Sequence, residues 1–235
     1  MFAAPITLAV DVGGSGLKAM LLDAKGKPAS DRVRVPTPAI PTPAAILKGL
    51  DKLAKQLPRF DRVSVGFPGV IKKGTTWTAA NLHPRWVGFP LAAELKKRWK
   101  RPVHVANDAA VQGYGAIKGD GVEMIITLGT GMGSSLYTNG HLCPGLELGH
   151  HPWRNKTYED YLGRRGLDRF GKKQWNKLLA LAIEQTSKTF NWDHLYIGGG
   201  NTKKISIELP ENVKIVSNQS GILGGVALWR DESAR

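Results

Sequence analysis

Thr7-Leu8-Ala9-Val10-Asp11-Val12-Gly13-Gly14-Ser15-Gly16-Leu17-Lys18-Ala19-Met20-Leu21-Leu22 is the stretch from which the fold is read. Residues 7–10 form a short apolar run and residues 18–22 resume one, so the small residues between them predict a turn joining two strands of a hairpin. Asp11 stands at the end of the first strand, directly before that turn, a placement that suits a metal-assisted phosphate site. Glycine lets backbone amides approach an anion closely, and successive N–H groups form a concave nest for phosphate oxygens. An ordinary glycine hairpin would carry the same residues, so the motif alone leaves both readings open. It is not a helix-opening nucleotide motif: residues 13–18 lack the spacing of a P-loop, and Gly14-Ser15-Gly16 has no glycine at the third fingerprint position.

The 235 residues around it, 42% of them hydrophobic, suffice for one large domain or two small lobes with a sizeable core. A single cysteine, Cys143, excludes an intramolecular disulfide framework. The chain opens on no secretory leader, and no apolar run approaches the ~20 residues that cross a bilayer, so a cytoplasmic protein without a membrane partner is expected. The formal net charge is +14, and it is uneven: 18 Lys and Arg against 7 Asp and Glu in residues 1–108, 15 against 12 in residues 109–235. A field of this sign favours polyanions, whether nucleic acid, anionic lipid or inorganic polyphosphate. It is equally the mark of a solvated surface kept soluble by charge.

Beyond the hairpin, strands are expected near residues 6–12, 17–23 and 31–35, then a proline-rich linker over 36–43. A helix over 43–57 follows, with Thr42 as N-cap, Pro43 at its first position, and Ile46, Leu50, Leu53 and Leu57 on one stripe. Residues 62–66 form a strand, and a helix over 91–100 puts Leu91, Leu95 and Trp99 together. A strand over 102–106 delivers Asn107-Asp108 to a helix over 109–117. The second half has strands over 123–128, 134–137 and 194–197, a long helical region over 158–189, and a last helix over 221–230. Alternating strands and helices indicate an α/β fold with crossover connections. Residues 1–108 read as one lobe, to which 221–235 return, and 109–220 as the other.

The two halves share a theme, because Leu128-Gly129-Thr130-Gly131-Met132-Gly133-Ser134 again joins two strands through small residues. Facing turns of this kind can grip one phosphate chain from both sides, with Gly13, Gly14, Ser15, Gly16 and Lys18 in one and Thr130, Gly131, Gly133 and Ser134 in the other. Glu147 and His150, three residues apart, are close enough to converge on one ligand.

Taken in order, Asp11 to Lys18, Gly66-Phe67-Pro68-Gly69, Ala80-Asn81-Leu82, Asn107-Asp108-Ala109, Leu128 to Ser134, Glu147-Leu148-Gly149-His150 and Gly198-Gly199-Gly200 make the chain resemble a sugar kinase of the ROK family. Within that family it is most similar to the glucokinases that use polyphosphate. The resemblance implies a two-lobed actin/hexokinase-like (ribonuclease H-like) α/β fold with a cleft between the lobes. It implies transfer of a phosphoryl group to the 6-hydroxyl of glucose, with Asp108 as the general base. Gly69, Asn81, Asn107, Glu147, His150 and Glu159 would then contact the sugar, and Asp11 would orient Mg²⁺ through water. Each residue keeps a plain alternative: Asp108 and Asn107 as caps of a helix, Glu147 as an exposed acid and His150 as a satisfied histidine. Many ROK proteins carry a three-cysteine and histidine zinc site after the Glu-x-Gly-His motif. Here that segment, residues 150–156, contains no cysteine, a trait shared with the polyphosphate-using branch. The repressors of the family carry a DNA-binding domain before the first strand, and only six or so residues precede it here, so no DNA partner is expected. Related kinases are commonly dimers.

The donor is polyphosphate, ATP or both. Lys72-Lys73, Lys96-Lys97-Arg98 with Lys100-Arg101, Arg154 and Lys156, Arg164-Arg165 and Lys172-Lys173 could line a track for a long polyanion, whose binding would weaken with salt. Gly198, Gly199, Gly200 and Lys203 would lie near an adenosine if ATP is used. Two rivals stand beside this reading: an ATP-dependent ROK hexokinase for another sugar, and a non-catalytic basic protein that binds polyanions on a kinase-like scaffold.

Overall fold

The computed structural model describes residues 4–79, 82–143, 145–216 and 220–230. The chain divides into two units, one formed by residues 1–115 and 219–235, the other by 116–218.

In the first unit the opening hairpin forms as its apolar runs require. β1 (Thr7–Val12) and β2 (Leu17–Leu22) pair antiparallel, with Asp11 directly opposite Lys18. β3 (Val33–Val35) adds to β2 with Arg34 opposite Lys18. α1 (Pro43–Ala54) then crosses over to β4 (Arg62–Phe67), which runs parallel to β1. A small hairpin of β5 (Ile71–Lys72) and β6 (Thr75–Thr76) precedes α2 (Leu91–Trp99) and β7 (Val103–Asn107), parallel to β4. The sheet order is β3-β2-β1-β4-β7, and α1 and α2 are the crossovers that its parallel pairs demand. Leu8, Val10, Val12 and Leu17 of the hairpin bury their side chains with Ile46, Leu50 and Leu53 of α1 and with Leu91 and Leu95 of α2. Thr42 caps α1, its hydroxyl accepting the Ala45 N–H at 3.3 Å. The helix ends at Ala54, short of the expected Leu57, because Leu57 precedes Pro58, which disfavours helical backbone before it. α3 (Asp108–Tyr114) starts directly off β7.

The second unit repeats this plan. β8 (Val122–Leu128), β9 (Met132–Thr138) and β10 (His141–Leu142) form an antiparallel meander. A small hairpin of β11 (Pro152–Trp153) and β12 (Lys156–Thr157) leads into α4 (Tyr158–Leu162) and α5 (Arg164–Phe190), followed by β13 (His194–Gly198) and β14 (Val213–Ile215). β13 runs parallel to β8 and β14 parallel to β13, giving the order β10-β9-β8-β13-β14. The expected helix over 158–189 is interrupted twice. Gly163 is extended, since a Cβ there would meet the Glu159 and Thr130 carbonyls at 2.8 and 3.0 Å, and Gly171 takes the positive φ of +71° open to glycine. Glu123 on β8 is fully buried and accepts from the Lys118 and Gly119 N–H groups, each at 2.7 Å, and from the Tyr196 hydroxyl at 3.0 Å. Burial, with that carboxylate's help, pushes the Tyr196 phenol up to about 12.

The last expected helix, over 221–230, is replaced by a single α-turn, α6 (Ser220–Leu223), and a 3-10 stretch, Gly224–Trp229. Gly224 lies so close to α3 that a Cβ would sit 1.9 Å from the Val111 carbonyl. The segment packs on α3 and β1, where Ser64 Oγ donates to the Gly225 carbonyl and accepts from Trp229 Nε1 at 2.9 Å. Among the described residues no helix is long and apolar enough to cross a membrane.

Candidate active site

The sheet register of the first unit gathers one group of the candidate residues. Arg34, Lys18, Asp11 and Gly66 are successive partners across β3, β2, β1 and β4, so their Cβ positions share one face. Asp11 Oδ2 accepts from Lys18 Nζ at 2.8 Å, a partly exposed ion pair. Arg34 Nη2 donates to the Ser15 carbonyl at 2.9 Å, and the guanidinium lies where a Cβ on Gly16 would fall, 2.5 Å from Nε. Thr37 Oγ1 donates to the Gly13 carbonyl at 2.6 Å, and the Gly13 N–H closes the turn onto the Gly16 carbonyl at 3.2 Å. Gly14 and Ser15 form the exposed tip. None of the turn glycines has a positive φ. They are needed instead for close approach: of Arg34 to Gly16, and of the Gly16 carbonyl to Gly13.

Neither Arg34 nor Thr37 stood out in the sequence. The signal that could have found Arg34 is the Val33-Arg34-Val35 alternation, which places a cation on the face opposite the two valines of a strand expected beside the hairpin.

Asp108 enters the same face from α3. Gly66 makes room for it, since a Cβ there would touch Asp108 Cα at 3.4 Å. Asp108 is half-buried, and its Oδ1 accepts from the Ala109 N–H at 2.8 Å at the helix start. Asn107 is the N-cap, its Oδ1 accepting from the Ala109 and Ala110 N–H groups and its Nδ2 donating to the Gly69 carbonyl at 3.2 Å. Gly69 is fixed by packing, because a Cβ would lie 2.1 Å from the Thr78 carbonyl. Asn81 lies outside the described residues.

The second hairpin is held differently. Its Gly129 N–H bonds the Gly131 carbonyl at 3.0 Å, its Met132 N–H donates to Glu159 Oε2 at 2.9 Å, and its Gly133 N–H donates to Thr127 Oγ1 at 3.1 Å. Thr130 and Gly131 at the tip have amides outside these bonds. Ser134 is buried, its hydroxyl donating to the Leu146 carbonyl at 2.8 Å and accepting the Leu148 N–H at 3.1 Å, so it braces the segment that carries Glu147 rather than lining the tip. Gly149 packs on the same hairpin, 2.1 Å separating its would-be Cβ from the Met132 carbonyl.

This bracing gathers the predicted acids and histidine. His150 Nε2 stands 3.8 Å from Glu147 Oε2. Burial raises the Glu147 carboxyl above its ordinary value of 4.5; His150 opposes the shift and the neighbouring Glu159 charge adds to it. Glu147, His150 and Glu159 therefore form one cluster of acceptors and a ring nitrogen, seated against the second hairpin, with the chemistry to hold several hydroxyl groups.

The strand-end glycines after β13 serve packing first. Gly199 has φ +95°, and a Cβ would lie 2.3 Å from the Leu128 carbonyl; Asn201 Nδ2 then donates to the Gly129 carbonyl at 2.9 Å. Gly198 closes β13, Gly200 has open space around it, and Lys203 is exposed on the 3-10 turn Gly200–Lys204 that replaces a following helix.

Among the described residues no three His, Cys, Asp or Glu side chains gather as a metal cage. Mg²⁺ needs none, since it keeps most of its waters and is held by one or two carboxylates and the substrate phosphates. With an ammonium on one oxygen, Asp11 fits a hydrated ion held at one remove.

Residues 7–166 match the ROK family. The chain is 30% identical to the polyphosphate glucokinase of Mycobacterium leprae over 92% of its length and 72% of the relative's. Its fold is similar to the crystal structure of the inorganic polyphosphate/ATP-glucomannokinase of Arthrobacter sp. strain KM, with a TM-score of 0.85, 31% identity, and 96% and 97% of the two chains covered. A ROK family glucokinase from Streptomyces griseus, solved with glucose and AMPPNP, shares the fold at 21% identity with a TM-score of 0.76, covering 95% and 98% of the chains. The two α/β units are thus those of the two-lobed sugar-kinase fold, and the chain belongs to the ROK family.

Proposed function

We propose that the chain transfers the terminal phosphoryl group of inorganic polyphosphate to the 6-hydroxyl of glucose, giving glucose 6-phosphate. The observation that carries this reading is the cluster of Glu147, His150 and Glu159 tied to a glycine hairpin through the Glu159–Met132 bond, a sugar-type acceptor set fastened to a phosphate-type loop. Glu147, His150, Glu159 and Asn107 orient the sugar. Asp108 takes the proton from the attacking hydroxyl, a role worth about 10²–10⁴-fold in rate for a well-placed base. Lys18, Arg34 and the hairpin amides offset the charge that spreads over the transferring group. Mg²⁺, held through water by Asp11, would supply further neutralisation of phosphoryl oxygens. Names of relatives support both donors: glucokinase on polyphosphate, and glucomannokinase on polyphosphate or ATP.

The basic surface supports polyphosphate as a donor, with one amendment to the expected track: Lys96, Lys97 and Arg98 of α2 are all exposed, and Arg98 is paired with Asp51 at 2.9 Å. The test is glucose 6-phosphate formation measured by a coupled assay with polyphosphate and with ATP at fixed glucose. Product from polyphosphate supports the reading. Product from ATP alone sinks the donor assignment, and no product with either sinks the enzyme.

A further inference from the structure

Gln112 is more than nine-tenths buried, and its Nε2 is the one buried side-chain polar atom without a hydrogen-bond partner among the described residues. A buried amide donor left unmade costs stability, so a fold tolerates one where it serves something else. Gln112 sits four residues after Asp108 on α3, the spacing that stacks two side chains on one helix face with Cβ atoms about 5–6 Å apart. Long helical side chains lean toward the N-terminus, so a glutamine at position 112 is directed toward the turn that Asp108 begins. In this structure the Asp108 carboxylate accepts from the Ala109 N–H at the helix start.

Resting on the reading of Asp108 as the base, we propose that Gln112 is a positioning residue for it: its amide nitrogen donates to the carboxylate when that group turns from the helix start toward a sugar hydroxyl. The donor would fix the carboxylate's orientation and favour its ionised form. Asp11, Lys18 and Arg34 stand in the row of partners that ends at Gly66, on the face Asp108 enters, and are common to parent and variant. Of the elements packed on α3, α6 and the 3-10 stretch Gly224–Trp229 carry no titratable side chain, and β4 and β7 carry Arg62 and His104. Both face Trp229, Arg62 over its ring at 5.0 Å and His104 stacked on it at 3.9 Å, and Arg62 lies at the opposite end of β4 from Gly66. On α3 itself only Tyr114 accompanies Asp108.

The test is Gln112→Met, close in length and lacking the donor. Turnover should fall about five- to thirtyfold with the Michaelis constant for glucose within twofold, and the acid limb of the turnover profile should move up by about half to one pH unit, since a hydrogen bond to the charged form is lost. The thermal midpoint should hold or rise, because the orphaned amide is gone. An unmoved acid limb with a lowered midpoint would make Gln112 merely structural; a raised Michaelis constant with turnover intact would make it a sugar contact, and either overturns the proposal. If the methionine variant does not fold, Gln112→Glu must move the limb further up, and an unmoved limb there also overturns it. Asp108→Asn separates the two levels: retained turnover in that variant removes the base itself, whereas its loss together with an unmoved limb in Gln112→Met removes only Gln112.

Discussion

The two hairpins have the same topology and opposite chemistry. The first is dressed in charge: Asp11 and Lys18 pair across the strands, and the Arg34 guanidinium lies against Gly16. The second carries no cation in its turn, and two of its amides, those of Met132 and Gly133, donate to the carboxylate of Glu159 and to Thr127. A repeated framework has therefore been put to two uses, the first turn presenting positive charge, the second fastening a carboxylate cluster. The difference teaches that a glycine turn by itself carries little; what lies across the ladder from it decides what it can hold.

The comparison breaks first at Glu159. Glu159→Ala removes both a proposed sugar contact and the acceptor for the Met132 N–H, and kcat/KM for glucose should fall about 10²–10³-fold, the range for losing charged contacts to a reacting substrate. Glu159→Gln keeps an acceptor for that amide and should recover part of the loss; equal loss in both would show that the hairpin bond is irrelevant. Next is Arg34→Ala, which should raise the Michaelis constant for polyphosphate about tenfold, as for one charge-assisted contact of 1.5 kcal/mol or so, and leave that for glucose unchanged. A change in glucose alone would reverse the roles given to the hairpins.

Glu147 sharpens the contrast through pH. Burial raises its carboxyl above 4.5, so the folded chain holds this proton more tightly than the unfolded one. Its contribution to stability therefore falls as pH rises from about 4.5 through the raised value. Glu147→Gln should abolish that fall and show a thermal midpoint at neutral pH equal to or above the parent's, while glucose turnover drops. The smallest effect belongs to Lys96 and Lys97, outside both hairpins. Neutralising the pair should weaken polyphosphate binding only a few-fold and lower the slope of log affinity against log salt by about one to two.

Much of this was legible because it is local. The first hairpin, the Thr42 cap and the Leu91–Leu95 stripe each follow from residues a few positions apart, and the Glu147–His150 pair from a spacing of three. What escaped depends on distant partners. Arg34 matters through Ser15 and Gly16, Glu123 through Tyr196, and the broken helix after Tyr158 through the approach of Gly163 to Thr130. Asn107 could be placed as a cap or a sugar contact from its position, and only the geometry revealed that its side chain holds both the helix start and Gly69.

The account rests on a carboxylate at the start of α3 that accepts a proton from an alcohol, and Asp108→Asn measures this most directly when turnover and glucose affinity are determined on the same sample. Turnover should fall by about a thousandfold or more while the glucose dissociation constant stays within about threefold. Turnover within tenfold of the parent, with glucose still bound, would contradict it.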